Sequence, residues 1–225
     1  MPLTIHYHEL KAVIPSQQGK IIAITGCTSG TGLVLAKTCA ELGARVILLN
    51  RKSERADAAL KELQGRNASA QHVELDLSSF ASECHSVRAC AEQLHKVCPD
   101  GIDVLCNNAG VMGLPDDATG DGFDVQMQSN HISHFLLTLS VWDLLERAAQ
   151  KRGEARVVNH SRLARLLETR CLLPLRLLPA LFLCLCSPLH SSVHYFPASF
   201  LHSDAPCVVA ALETPPRVLW RPSIC

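Results

Sequence analysis

Past Gly153 the chain has no glycine and past Lys151 no lysine, although it runs on to Cys225. Aromatic residues are scarce, at 4%, and only two of them are tyrosines, Tyr7 and Tyr195. That scarcity argues against a stacking platform for single-stranded nucleic acid. No charge of either sign is in excess: 21 basic side chains face 21 acidic ones, so nothing steers the chain toward nucleic acid or an anionic membrane. Met1 to Lys20 holds no apolar run, so no secretory leader is expected there. Eleven cysteines are scattered without paired CxxC knuckles, which excludes the common zinc frameworks. Cys27, Cys39, Cys90 and Cys106 fall in expected helices, strands or tight turns, where cysteine packs as a small hydrophobe. The compartment is read as reducing, and cytoplasmic. His6 and His8 could pair on a metal, but no third ligand is near in sequence, and no metal is expected. Residues 1–19 are instead read as a solvated extension.

The two ends of the chain differ in kind. From Leu163 onward come eight of the twelve prolines, five cysteines and a leucine-heavy run. An α/β domain needs glycine at its turns, because left-handed backbone positions tolerate little else. Residues 162–225 are therefore expected to be a poorly ordered or aberrant tail, such as a misread region replacing the proper end of the domain. Cys171 to Cys186 is apolar enough to suggest an anchor. It is 16 residues long and contains Arg176, Pro174 and Pro179, short of the roughly 20 apolar residues a span requires. No membrane partner is expected.

Residues 20–161 alternate between strand and helix patterns. Lys20 to Thr25 is a β-branched run that ends in a glycine turn, and Gly32 to Leu42 reads as a helix closed by Gly43. Arg45 to Leu49 is a second strand; Ser53 caps a helix that runs to about Leu63, with Gly65 beyond it. Ala70 to Leu75 is a third strand, followed by Ser78-Ser79 and a helix to about Val97. Asp103 to Cys106 is a fourth strand, Gly122 to Gln150 contains one long helix, and Ala155 to Asn159 is a fifth strand. Continuous apolar strands separated by helices predict a parallel sheet covered on both faces, a doubly wound Rossmann-type α/β fold.

The turn after the first strand reads Thr25-Gly26-Cys27-Thr28-Ser29-Gly30-Thr31-Gly32. A glycine triplet alone also fits an ordinary left-handed turn. Between a strand and a helix, it has the context of a dinucleotide turn. Gly26 allows the sharp bend, and Gly30 and Gly32 allow close backbone approach to a pyrophosphate at a helix N-terminus. No Gly-Lys-Ser/Thr follows, so it is not a P-loop.

With Asn107-Asn108-Ala109-Gly110 after the fourth strand, Asp121-Gly122-Phe123-Asp124 and Asn130 to Thr138, four motifs stand in order. Together they resemble the short-chain dehydrogenase/reductase family, and more closely its retinol dehydrogenase, protochlorophyllide reductase and WW-domain oxidoreductase branch. The likeness runs from about Gly19 to Ser161. It implies a sheet order 3-2-1-4-5, with the family's last strands missing, and cofactor phosphates held at Gly26, Gly30 and Gly32. Thr28, Ser29 and Thr31 would add hydroxyl donors. It further implies an adenine wall at Asp76-Leu77, a cofactor-lining strand end at Asn107, Ala109 and Gly110, and Asn130 as the catalytic asparagine that holds a water. Read as ordinary structure, Asp76 is a helix cap and Asn130 a satisfied helix polar residue. Charge chooses between the cofactors. Asn50 ends the second strand where NAD sites place an acid, and Arg51 and Lys52 follow, so NADP(H) is favoured.

The resemblance stops short of the chemistry. The family's YxxxK pair, carried on a helix after the fifth strand, is absent there, since Tyr195 is followed four residues on by Ser199 and no lysine follows Lys151. The catalytic serine position falls on Arg162, with Ser161 one residue early and a doubtful substitute. Three readings follow: an NADP(H)-dependent oxidoreductase of an alcohol or carbonyl, hydrophobic by resemblance; a non-catalytic nucleotide-binding protein; or a non-functional chain. The missing part also carries most of the family's dimer interface. Its loss is expected to bare the edge of the fifth strand and the helix through Phe135 and Leu139.

Overall fold

The computed structural model describes residues 5–67, 69–80, 86–162 and 207–213. For residues 5, 6, 8, 162 and 207–213 only the backbone is described. Along it run α1 (Ile5–Val13), β1 (Ile21–Thr25), α2 (Gly30–Glu41), β2 (Arg45–Asn50), α3 (Glu54–Gln64), β3 (Gln71–Glu74), α4 (Val87–Val97) and β4 (Val104–Asn107). There follow α5 (Val125–Met127), a π-helical turn at Gln128–Ile132, α6 (Ser133–Ser140), α7 (Trp142–Arg152), β5 (Arg156–Arg162) and β6 (Cys207–Glu213). The sheet order is β3-β2-β1-β4-β5-β6, with the first five strands parallel.

Strand periodicity explains why both faces are covered. Ile21 and Ala23 of β1, with Ile47 and Leu49 of β2, point to one face and pack beneath α4, α6 and α7 through Leu94, Leu137 and Leu144. Their neighbours Ile22, Ile24, Val46 and Leu48 point the other way, against Ala36, Cys39 and Ala40 of α2 and Ala59 and Leu63 of α3. Side chains of successive strand residues alternate between faces, so an unbroken apolar run must be buried twice. The buried cysteines belong to this core. Burial pushes the Cys39 thiol up to about 11 and those of Cys90 and Cys106 up to about 12, and raises Cys27 as well, so none is a thiolate.

Local signals set several boundaries. The Ser53 side chain accepts from Ala56 N–H and starts α3, which Gly65 closes. Ser86 caps α4 in the same way, accepting from Ala89 N–H. That cap lies after the expected Ser78-Ser79 start. Asp103 carries the join between helix and sheet: its buried carboxylate accepts from Ile21 N–H at 2.7 Å and from Arg152 Nε at 2.5 Å.

Three expectations are corrected. The long helix over 122–150 is α5, a π-helical turn, α6 and α7, with a break between α6 and α7 at Val141 (φ −116°, ψ 15°). Just past the break, the Leu144 carbonyl accepts from Ile102 N–H at 3.0 Å. The N-terminal stretch is not simply a solvated extension. It forms α1, and Tyr7 Oη meets Thr38 Oγ1 of α2 at 2.5 Å while Lys11 pairs with Glu41. The outer edge of β5 is not bare, since β6 pairs with it antiparallel from Arg156–Glu213 to Arg162–Cys207. Cys171–Cys186 and Tyr195 lie outside the described residues. Among the described residues no helix is long and apolar enough to cross a membrane, and no group of three or more metal-ligating side chains gathers.

Candidate functional site

The carboxyl ends of β1, β2 and β4 meet at the glycine turn. Gly26 has φ +71°, and a Cβ there would sit 2.8 Å from the Cα of Ala109. A Cβ on Gly32 would lie 2.2 Å from the Gly26 carbonyl oxygen and 2.4 Å from Asn108 Nδ2. Both positions are therefore closed to any side chain, and the turn and the β4 exit are pressed together. Gly30 is different: at φ +56° its Cβ would meet nothing within 4 Å. The three glycines divide the work, two allowing packing and the third keeping an open face at the start of α2.

That open face suits an anion. Ser29 stands at the N-cap of α2 but makes no side-chain cap, so the first-turn N–H groups are left for another acceptor. The hydroxyls of Thr28, Ser29 and Thr31 make no hydrogen bond among the described residues. Asn50 is turned inward, its Oδ1 accepting from Cys27 N–H at 2.6 Å. Its Nδ2 is buried without a partner. A buried donor left unpaired is costly and is the kind of group a bound ligand satisfies. Arg51, one residue on, is exposed and has no ion pair among the described residues. Lys52 N–H bonds Glu74 Oε1 at 3.3 Å. The residues present thus fit a dinucleotide.

The opposite wall is braced from two sides. Thr25 Oγ1 accepts the N–H groups of Asn108 and Ala109, each at 2.9 Å. Asn108 Nδ2 donates to the carbonyls of Thr25 and Gly26, and Asn108 Oδ1 lies 3.0 Å from His160 Nδ1. Asn107 Nδ2 donates to Asn159 Oδ1 at 2.8 Å, while its own buried Oδ1 has no partner. Gly110 has ordinary room, with Asn130 Oδ1 3.6 Å from a Cβ built there.

Asn130 lies within the π-helical turn, a feature that often marks functional sites. Its side chain accepts from Val111 N–H at 2.8 Å and donates to the Val111 carbonyl at 2.7 Å. The side chain expected to hold a water also braces the loop after β4, with a second N–H and a second lone pair beyond those two bonds. Asp76 Oδ1 accepts from the N–H and hydroxyl of Ser78, which makes it a turn cap at the end of β3. The Leu77 carbonyl accepts from Ser133 Oγ at 2.6 Å. Ser161 is exposed near the end of β5, opposite Val208 of β6, two residues past the last pairing of β5 with β4.

Several positioning residues escaped the reading of the sequence. Asp121 Oδ2 accepts from Phe80 N–H at 2.8 Å and from the buried Gln128 Nε2 at 2.6 Å, and Phe123 packs edge-on against Phe80. Asp124 caps the following turn through Met127 N–H. The Asp121 to Asp124 motif is therefore a clasp between the loop after β3 and the start of the π-helical segment. The sequence marked it as one of the four motifs of the family resemblance, without any sign of the clasp.

The comparisons agree with this geometry. The family model described as short chain dehydrogenase matches residues 20–167. Human retinol dehydrogenase 13 is 37% identical over 158 residues, covering 68% of this chain and 44% of that protein. Human retinol dehydrogenase 11 is 38% identical over 153 residues, covering 65% and 44%. A Pseudomonas aeruginosa RhlG/NADP active-site complex superposes with TM-score 0.50 at 30% identity, over 59% of this chain and 50% of that one. A Mycobacterium paratuberculosis crystal structure does so with TM-score 0.51 at 36% identity, over 59% and 45%. The fold is a Rossmann-type doubly wound sheet. The chain belongs to the short-chain dehydrogenase family, and it spans under half the length of the curated relatives it matches.

Proposed function

We propose that this chain binds NADP(H) at the Gly26–Gly32 turn, within a lineage of oxidoreductases that act on hydrophobic alcohols or carbonyls, and turns over poorly if at all. The observation that carries the reading is the division among the glycines. Gly26 and Gly32 are locked against the β4 exit while Gly30 faces open space at an uncapped helix start. Gly26, Thr28, Ser29, Gly30, Thr31 and Gly32 would hold the pyrophosphate, and Asp76 and Leu77 the adenine side. Asn107, Ala109 and Gly110 would line the nicotinamide side. Arg51 favours the 2′-phosphate of NADP(H), because it is exposed, unpaired among the described residues and able to bind phosphate in bidentate fashion.

When bound, the nicotinamide exchanges a hydride with the substrate carbon. The protein must then move a proton at the substrate oxygen. A tyrosine with a lysine four residues later, which the resemblance implies after the fifth strand, does not occur there: the sequence has that spacing only at Tyr7 and Lys11, ahead of β1. Arg162 stands where the orienting serine is expected, and it cannot act as a base near neutrality. Absence of a positioned acid/base costs on the order of 10²–10⁴ in rate. The hydrophobic substrate class is supported by the retinol dehydrogenases among the relatives. The cytoplasm is proposed on the five buried free thiols of the described residues.

The test is a fluorescence titration with NADPH and with NADH, followed by turnover of retinal-type aldehydes. Saturable binding that favours NADPH, without turnover, is expected. Equal affinity for the two cofactors removes the role of Arg51, turnover at the rate of a complete relative removes the impairment, and no binding removes the reading.

A further inference from the structure

Thr25 Oγ1 is the most heavily used oxygen in the site, and a count of its bonds fixes the state of its neighbour. A threonine hydroxyl has two lone pairs and one hydrogen. The N–H groups of Asn108 and Ala109, both at 2.9 Å, occupy the lone pairs. The hydrogen must go elsewhere, and two acceptors are in range: the Cys106 carbonyl at 3.5 Å and His134 Nε2 at 2.9 Å. The nearer is His134. Its Nε2 must then be unprotonated, so the ring proton is on Nδ1, which lies 3.1 Å from the Asn130 carbonyl oxygen and donates to it. The ring is buried, and it links the end of β1 to the π-helical turn.

We infer that His134 is a positioning residue for the nucleotide site. Its neutral, Nδ1-protonated ring orients the Thr25 hydroxyl so that both lone pairs hold the β4 exit, and it ties that exit to the turn bearing Asn130. This rests on the nucleotide-binding reading of the site. The ring joins walls that also meet through the Asn130–Val111 pair, the Asn107–Thr138 contact at 3.2 Å and the Gly113 N–H on Gln126 Oε1 at 3.0 Å. A proton on Nε2 would aim a third donor at an oxygen with no lone pair left, so Asn108 or Ala109 would have to release.

Measurements on the full chain test this. The imidazole nitrogen chemical shifts of His134 at neutral pH are expected to show a proton on Nδ1 alone; the other tautomer or an imidazolium overturns the inference. His134→Phe is expected to weaken NADPH binding about tenfold, the size of one lost buried hydrogen bond, and Thr25→Val, which also removes the acceptor of the Asn108 and Ala109 N–H groups, by more. Because both act through the same bond, the double variant is expected to bind no more weakly than the worse single one. Independent, multiplying losses overturn the inference, as does unchanged affinity in His134→Phe. His134→Gln, which retains an acceptor and a donor, is expected to recover part of the loss. In nucleotide-free protein, the Asn108 and Ala109 amides are expected to exchange faster in His134→Gln than in wild type; unchanged rates count against the relay. The ring shifts need no variant and decide the matter if His134→Phe does not fold. Should wild-type protein fail to bind NADPH, the functional reading falls, while ring shifts and amide exchange still judge His134.

Discussion

The glycine turn and the outer end of β5 lie in the same sheet, and they are built to different standards. At the turn, the glycines, Thr25, Asn50 and Asn108 lock three strand ends together, and the groups without partners face one place where a dinucleotide fits. At the end of β5, Arg162 follows Ser161, and the neighbouring strand β6 runs antiparallel to the rest. The difference teaches that binding a nucleotide and reacting it are separable demands on this fold. Under the proposed function, the first would be met by backbone geometry within residues 20–132, and the second would need side chains that the family resemblance places after β5.

The comparison breaks most sharply at Gly32. Gly32→Ala puts a methyl group into backbone and is expected to cost about 3 kcal/mol and abolish NADPH binding. Gly30→Ala meets no atom, and its positive φ costs only about 1 kcal/mol of strain, while the methyl group enters the proposed pyrophosphate site. Thermal melts with and without NADPH should therefore separate them: Gly32→Ala lowers the melting temperature of free protein, and Gly30→Ala chiefly removes the shift NADPH produces. Equal behaviour would refute the division of labour.

A smaller effect is expected from Arg51→Ala, which should weaken NADPH about tenfold and leave NADH unchanged, by loss of one charge-assisted contact to phosphate. Parallel titrations with both cofactors check it.

Acid should act on the same region. Burial holds the His134 ring below the usual histidine value, the Asn130 carbonyl opposes that fall, and nearby His131 adds to it. A group with a depressed folded value contributes stability that is complete above its unfolded value, about pH 6.5, and drains away as pH falls toward the folded one. Chemical denaturation should thus show stability declining below that pH, with a shallower decline in His134→Phe. An unchanged slope in the variant would assign the decline to other groups.

The smallest effect is expected at the outer end of β5. Ser161→Ala should leave NADPH affinity within experimental error and add no loss to the low turnover proposed for this chain. A measurable fall in turnover would show that Ser161 substitutes for the missing serine after all.

Much of the frame was legible in the residues. Ile21 to Thr25 and Val46 to Leu49 are β-branched or leucine runs too short for helices, and Ser53 and Gly65 mark the ends of α3 by ordinary capping chemistry. The break at Val141 and the π-helical turn were not legible, because no glycine or proline lies between Gly122 and Gly153 to mark them. They sit beside contacts across the chain, Leu144 with Ile102 and Asn130 with Val111, that local sequence does not mark. Strand β6 was hidden for a similar reason, since a single edge strand in a proline-rich stretch is specified by its partner.

By itself, the sequence determined the parallel sheet, the glycine turn and the lack of YxxxK after the fifth strand, because periodicity, glycine placement and residue identity are local properties; the strand order came with the family resemblance. Tertiary structure decided which glycine packs and which stays open, that Asn50 turns inward, and that Asn130 braces Val111. It also decided that His134 carries its proton on Nδ1 beside Thr25. Those outcomes depend on how many donors and acceptors meet at one point, and residues far apart in sequence meet only when the strand ends are brought together.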